Sequence, residues 1–137
     1  MTFWKSRRHG QSKKIGNQKV SLDGYSFASK LEAAVFQILK LREMAGEIKI
    51  LQVQDHVYLT DARIGYIPDF KCIDLKTNEE FHVEAKGFEM GVWRLKRKLW
   101  MYYGPGPLDV WKGHYLRPVF AERITPKNKR TSDDRSK

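Results

Sequence analysis

A single cysteine, Cys72, excludes any internal disulfide framework in this chain of 137 residues and fits a reducing compartment. It falls in Phe70-Lys71-Cys72-Ile73, which reads as a strand, so a buried packing role is expected rather than a nucleophile. No apolar run approaches the roughly eighteen residues that a membrane span needs. The basic amino terminus lacks the apolar core of a signal peptide, so no membrane partner is expected. His9, His56, His82 and His114 show no ligand spacing with the cysteine, which argues against zinc. Internal repeats and low-complexity tracts are also missing.

Acid is scarce at both ends. Residues 1–22 carry six cations and no carboxylate, residues 123–137 carry six cations against two acids, and the hundred residues between balance. The whole net charge of +10 therefore sits at the termini. Such ends suit a polyanion. The expected organisation is a basic arm over 1–16, holding Lys5, Arg7, Arg8, Lys13 and Lys14, one folded domain over 17–124, and a basic disordered tail over 125–137. A chain of this length can bury one core but not two.

Lys19 to Leu22 and Tyr25 to Phe27 alternate apolar and polar around Asp23-Gly24, which predicts a hairpin. Ser29-Lys30-Leu31-Glu32 fits a capping box, and Leu31, Ala34, Val35, Ile38, Leu39 and Arg42 follow at helical spacing until Gly46. Ile48 to Gln54, His56 to Leu59 and Arg63 to Ile73 read as strands, and a further strand holds Glu84. After Gly87, the spacing of Val92, Leu95, Leu99 and Tyr102 predicts a helix that buries this face and turns Arg94, Lys96, Arg97 and Lys98 outward toward phosphate. Trp93 and Trp100 share a stripe open to core, interface or stacking roles. Gly104-Pro105-Gly106-Pro107 breaks the helix. Leu108 to Trp111 and Tyr115 to Ile124 read as strands or irregular structure, with Pro118 pointing to an edge. The fold class is α/β, a mixed sheet of about five strands flanked by helices.

The stretch from Ile67-Pro68-Asp69-Phe70 to Glu84-Ala85-Lys86-Gly87 organises the rest. Strand alternation points Glu84 and Lys86 one way and Val83 and Ala85 the other, while Asp69 on the partner strand can reach the Glu84 face. Two carboxylates and an ammonium at one spot suit Mg²⁺, which takes one or two carboxylates and fills its shell with water and phosphate oxygens. The triplet Glu47-Ile48-Lys49 repeats the Glu-x-Lys pattern without a preceding Pro-Asp and serves as an internal decoy. Gln54 and Arg63, polar residues near strand ends, are further candidates to face phosphate.

Pro68-Asp69 with Glu84-Ala85-Lys86 resembles the signature of the PD-(D/E)xK nuclease superfamily, and Glu32 in Ser29-Lys30-Leu31-Glu32 resembles its first-helix glutamate. The order over residues 17–103 is most similar to small phage-encoded Holliday junction resolvases. The resemblance implies a restriction-endonuclease-like core, with Glu32, Asp69 and Glu84 at the metal and Lys86 at the reacting phosphate. It also implies a cytoplasmic protein of a bacterial or phage-infected cell. The Ala85 carbonyl is a further candidate metal ligand, and Mn²⁺ is expected to substitute for Mg²⁺. Glu32 retains a second reading as part of a helix cap. The expected function is metal-dependent endonuclease cleavage of branched DNA by a homodimer, its four-way junction substrate being two-fold symmetric. Trp93, Trp100, Trp111, Tyr102 and Tyr103 are the candidate interface aromatics. The rival readings are a non-catalytic nucleic-acid-binding protein and a nuclease of the same superfamily with another role, such as a transposase subunit or a repair nickase.

Overall fold

The computed structural model describes residues 19–87 and 91–127. Strands β1 (Val20–Leu22) and β2 (Tyr25–Phe27) form the expected hairpin, with Asp23 and Gly24 both at positive φ in its two-residue turn. Helix α1 (Lys30–Met44) follows, its amino end capped by Ser29, whose hydroxyl accepts from the Glu32 amide at 3.1 Å. Gly46, at φ 77°, takes the left-handed turn that ends it. The buried face is Leu31, Ala33, Val35, Phe36 and Leu39. Phe36 thus enters the core, and Ala34 and Ile38 are only partly covered.

Five strands make the central sheet in the order β3 (Ile48–Val53), β6 (Phe70–Asp74), β7 (Glu80–Ala85), β8 (Leu108–His114) and β9 (Arg117–Ile124). All neighbours run antiparallel except β7 and β8, which are parallel and joined through helix α2 (Gly91–Tyr103). The fold is therefore α/β with a mixed five-stranded sheet. A two-stranded ladder, β4 (Val57–Tyr58) with β5 (Gly65–Tyr66), stands beside it. The expected single strand from Arg63 to Ile73 is thus split into β5 and β6, and the segment from His56 to Leu59 pairs over two residues only. Pro118 lies on β9, at the sheet edge, where a missing N–H breaks no inner ladder.

Alternation sorts the sheet residues into two cores. Phe70, Cys72, Phe81, Val83 and Ala85 pack with Phe27 and the α1 residues on one face. Leu108, Val110 and Ile124 pack with Trp93 and Trp100 of α2 on the other. Cys72 is fully buried, and burial pushes its thiol up to about 12, which leaves it a packing residue. Trp100 donates from its indole N–H to the Gly106 carbonyl at 2.8 Å, and a Cβ on Gly104 would come within 2.6 Å of the same ring. The loop that ends α2 is thereby fitted around a tryptophan.

The register of α2 departs from the expected one. Its covered residues are Trp93, Lys96, Arg97, Leu99, Trp100 and Met101, so of the expected face only Leu99 packs against the core, whereas Val92, Leu95 and Tyr102 are exposed at 67%, 56% and 41%. The two indoles bury more apolar area than Val92 or Leu95 offers, so they take the core side and rotate the aliphatic stripe to solvent. The chain beyond the sheet also departs from expectation: Pro126 is buried and the Lys127 amide donates to the Met101 carbonyl at 2.7 Å, so residues 125–127 dock on α2. The rest of the expected tail lies outside the described residues, as does the whole 1–16 arm with Lys5, Arg7, Arg8, Lys13 and Lys14.

Candidate functional site

Phe70 pairs with Val83, so the next position outward sets Asp69, in the bend before β6, against Glu84 near the end of β7. Both side chains lie on the α2 face, because their neighbours Phe70 and Val83 fill the α1 face. They are 9% and 5% exposed. The Ala85 amide donates to Asp69 Oδ2 at 2.8 Å. On the other side the Tyr66 hydroxyl donates to Glu84 Oε1. Each carboxylate is thus held by a donor from a different strand.

Burial first, and then the charge of Glu84, raises Asp69 well above the usual carboxylate range. Burial raises Glu84 as well. Two carboxylates within hydrogen-bonding reach of each other in a low-dielectric site do not both ionise unless a cation joins them. Tyr66 is raised by burial and by the Glu84 charge, so it remains a phenol and a donor. Glu32 feels the same field, raised to about 7 by burial and then by Asp69, while Lys86 pulls it down. The α1 cap therefore places a third carboxylate beside the pair. Its Oε2 also accepts from the Ala28 amide at 3.3 Å, not from the Ser29 amide that a capping box would use.

The donor set fits Mg²⁺ in part. Asp69 and Glu84 offer adjacent hard oxygens whose mutual repulsion a divalent cation would relieve. Among the described residues, no group of three or more His, Cys, Asp or Glu side chains stands close enough to hold a metal. Two carboxylates, with a shell completed by water and phosphate, are the set the geometry offers.

Lys86 carries the strand's polar face onward. Its Nζ lies 4.8 Å from the centre of the Trp93 ring, on the wall of an open cavity of about 500 Å³. The decoy behaves differently: Glu47 pairs with Arg42 at 3.1 Å, and Lys49 is exposed on β3 opposite Ile73. Among the four cations expected to face outward from α2, Arg97 forms a two-pronged bond to Glu122 at 2.7 and 2.8 Å. Lys96 donates to the Gly65 carbonyl. Arg94 and Lys98 are exposed as expected. Gln54 and Arg63 are exposed residues at positive φ, and Arg63 lies 5.1 Å over the Tyr58 ring.

Tyr66 escaped the reading of the sequence, because the Gly65-Tyr66 segment has no periodic signal and its partner lies eighteen residues away. His82 escaped it too. On the same strand face as Glu84, its Nε2 is 2.9 Å from Asp55 Oδ2 and its ring meets Trp100 edge-on. Burial lowers its pKa, so the ring is neutral and donates its Nε2–H to Asp55, and the buried Nδ1 has no hydrogen-bond partner.

No helix among the described residues is long and apolar enough to cross a membrane. Comparisons with curated proteins and with solved structures give no match. One family does match, over residues 12–115 of the 137, a span that takes in the hairpin, α1, both site strands and α2. By that match the chain belongs to the family described as Protein of unknown function (DUF1064).

Proposed function

We propose that the chain is a metal-dependent endodeoxyribonuclease, with Asp69 and Glu84 as metal ligands and Lys86 at the reacting phosphate. The observation that carries this reading is the buried Asp69–Glu84 pair, each carboxylate fixed by its own donor, with the charge of Lys86 acting on both. A structural role would be better served by apolar residues, because burying two like charges side by side costs stability. A bound Mg²⁺ supplies an activated water and offsets charge on the phosphate.

The chain's own residues do the remaining work. Tyr66 fixes the Glu84 carboxylate through its hydroxyl, and the Ala85 amide fixes that of Asp69. Lys86, beside the carboxylates and on the cavity wall, orients the attacking water and neutralises charge that develops on the phosphate. Glu32, close enough for the Asp69 charge to raise it, adds a third carboxylate beside the pair. The exposed Arg94 and Lys98, with the cations of the two termini, bind the DNA backbone.

Branched DNA is the substrate that the resemblance to junction resolvases favours, and a homodimer would supply two matched sites. The interface would not use Trp93 or Trp100, which are core residues. Exposed Leu95, Tyr102 and Tyr103 on α2 are the available surface. The deciding test is incubation with labelled four-way junction, duplex and single-stranded DNA, with Mg²⁺ or with chelator. Cleavage of the junction with Mg²⁺ alone is expected; no cleavage of any of the three with Mg²⁺ or Mn²⁺ would overturn the nuclease reading.

A further inference from the structure

The cavity beside Lys86 has a chemistry that metal-assisted hydrolysis does not itself require. Its volume, about 500 Å³, lies within the ~300–1,000 Å³ typical of small-molecule sites. Tyr66, Ile67, Val92 and Trp93 give it apolar and aromatic walls, with the Tyr66 and Trp93 rings 6.0 Å apart and inclined at 41°. Lys86 and Lys96 supply the charge, and among the described residues no carboxylate lines it. A flat ring that brings an anion with it fits this combination: aromatic faces stack bases regardless of sequence, and the ammonium groups meet the adjoining phosphate. Lys86 belongs to both the cavity and the carboxylate cluster, so a ring seated here would lie next to the phosphate being cut.

We propose that this cavity takes one unpaired nucleotide of the DNA strand, next to the scissile phosphate. The inference rests on the nuclease reading and narrows its substrate class. Within a continuous duplex each base is held by pairing and stacking, and pulling one out is costly, whereas a base already unpaired at a branch, bulge or strand end enters without that cost. Selectivity for branched or gapped DNA then follows from the cavity and needs no reading of sequence.

The test measures binding, in chelator, by the full-length protein. One duplex carries a single-nucleotide bulge with 2-aminopurine as the extra base, and a second carries the same base paired. The bulged duplex is expected to bind at least ten-fold tighter, and its 2-aminopurine emission to fall as the base stacks on the aromatic wall. Ile67→Trp, at a position 51% exposed, fills the cavity mouth without disturbing the core. It should remove most of that ratio while leaving affinity for the paired duplex unchanged. Val92→Trp, at a position 67% exposed, gives the same block from the opposite wall. Equal affinity for the two duplexes, or a ratio that survives both substitutions, would overturn the inference. So would binding of free deoxyadenosine monophosphate with no preference for the bulge, which would assign the cavity to a free nucleotide. Because the chelator removes cleavage from the readout, a protein that prefers the bulge yet never cuts DNA with Mg²⁺ would fail the nuclease reading alone.

Discussion

The Ala85 amide donates to Asp69 Oδ2 across 2.8 Å, so the strand that presents Glu84 also fixes the carboxylate facing it. The backbone of β7 thereby sets the separation of the two acids, and side-chain freedom contributes little. Both acids should matter equally. Asp69→Asn and Glu84→Gln are each expected to lower the cleavage rate by on the order of 100-fold or more, since a bound ion supplies several kcal/mol of charge stabilisation. DNA binding should be retained or tightened, because each substitution also removes repulsion. Lys86→Ala should lose cleavage and Lys49→Ala should keep it; equal losses at the two lysines, measured on the same labelled substrate, would undo the assignment.

Tyr66 touches Glu84 but not the proposed metal, so its role is positioning. Tyr66→Phe removes the donor and keeps the ring between Trp93 and Trp100. Loss of such a support lowers metal affinity or activity by about 10- to 100-fold. A Mg²⁺ titration of the cleavage rate should show the midpoint moving to higher concentration while the melting temperature changes little. An unmoved midpoint would reduce Tyr66 to a packing residue.

The buried acids give the metal-free protein an unusual pH dependence. Glu32 is raised from 4.5 to about 7 in the folded chain, so the folded state binds more protons than the unfolded one between those values. The associated stability is complete below the unfolded pKa and is lost as pH rises through about 7. In chelator the melting temperature should fall from pH 5 to pH 8, and Glu32→Gln should flatten that slope and stabilise the protein at pH 8. Mg²⁺ should oppose the fall if the acids hold it. A melting temperature that climbs over the same range would contradict this account of the cluster.

The cations of α2 separate into two kinds. Arg97 and Glu122 are each about one third exposed, and a partly solvated pair of this sort contributes up to ~1 kcal/mol. Arg97→Ala should therefore lower stability slightly and leave DNA affinity nearly intact. Arg94→Ala with Lys98→Ala should leave stability alone and weaken DNA binding uniformly across sequences, with a shallower salt dependence. Urea melts and salt titrations of the two variants would separate these outcomes.

Leu95 and Tyr102 form an exposed apolar stripe on α2, continued by Tyr103 at 55% exposure. If this stripe closes the homodimer, light scattering at micromolar concentration should give twice the chain mass, and Leu95→Glu should return the monomer without loss of fold. A wild-type monomer, still monomeric on junction DNA, would remove the paired-cut role and leave the nuclease reading in place.

Much of this was legible in the residues because its causes are local. Asp23-Gly24 sets its hairpin through the positive φ that such residues tolerate, Ser29 caps α1 through a bond three residues long, and alternation on β7 separates Glu84 from Val83 and Ala85. These depend on sterics and hydrogen bonds within a few residues, which a sequence displays directly. The remainder rests on partners far away in the chain. Periodicity marked Val92, Leu95, Leu99 and Tyr102 as the buried side of α2, yet the indoles of Trp93 and Trp100 took it and kept only Leu99 of that set against the core, because what a helix buries depends on the shape of the sheet it meets. Arg97 looked like a free cation until β9 brought Glu122, twenty-five residues on, against it. Tyr66 became part of the site only because β5 crosses beside the end of β7. The sequence by itself determined which residue types could carry the chemistry and on which strand face; the long-range packing of strands and helices decided which of them meet, because side chains far apart in the chain acquire neighbours only when the core closes.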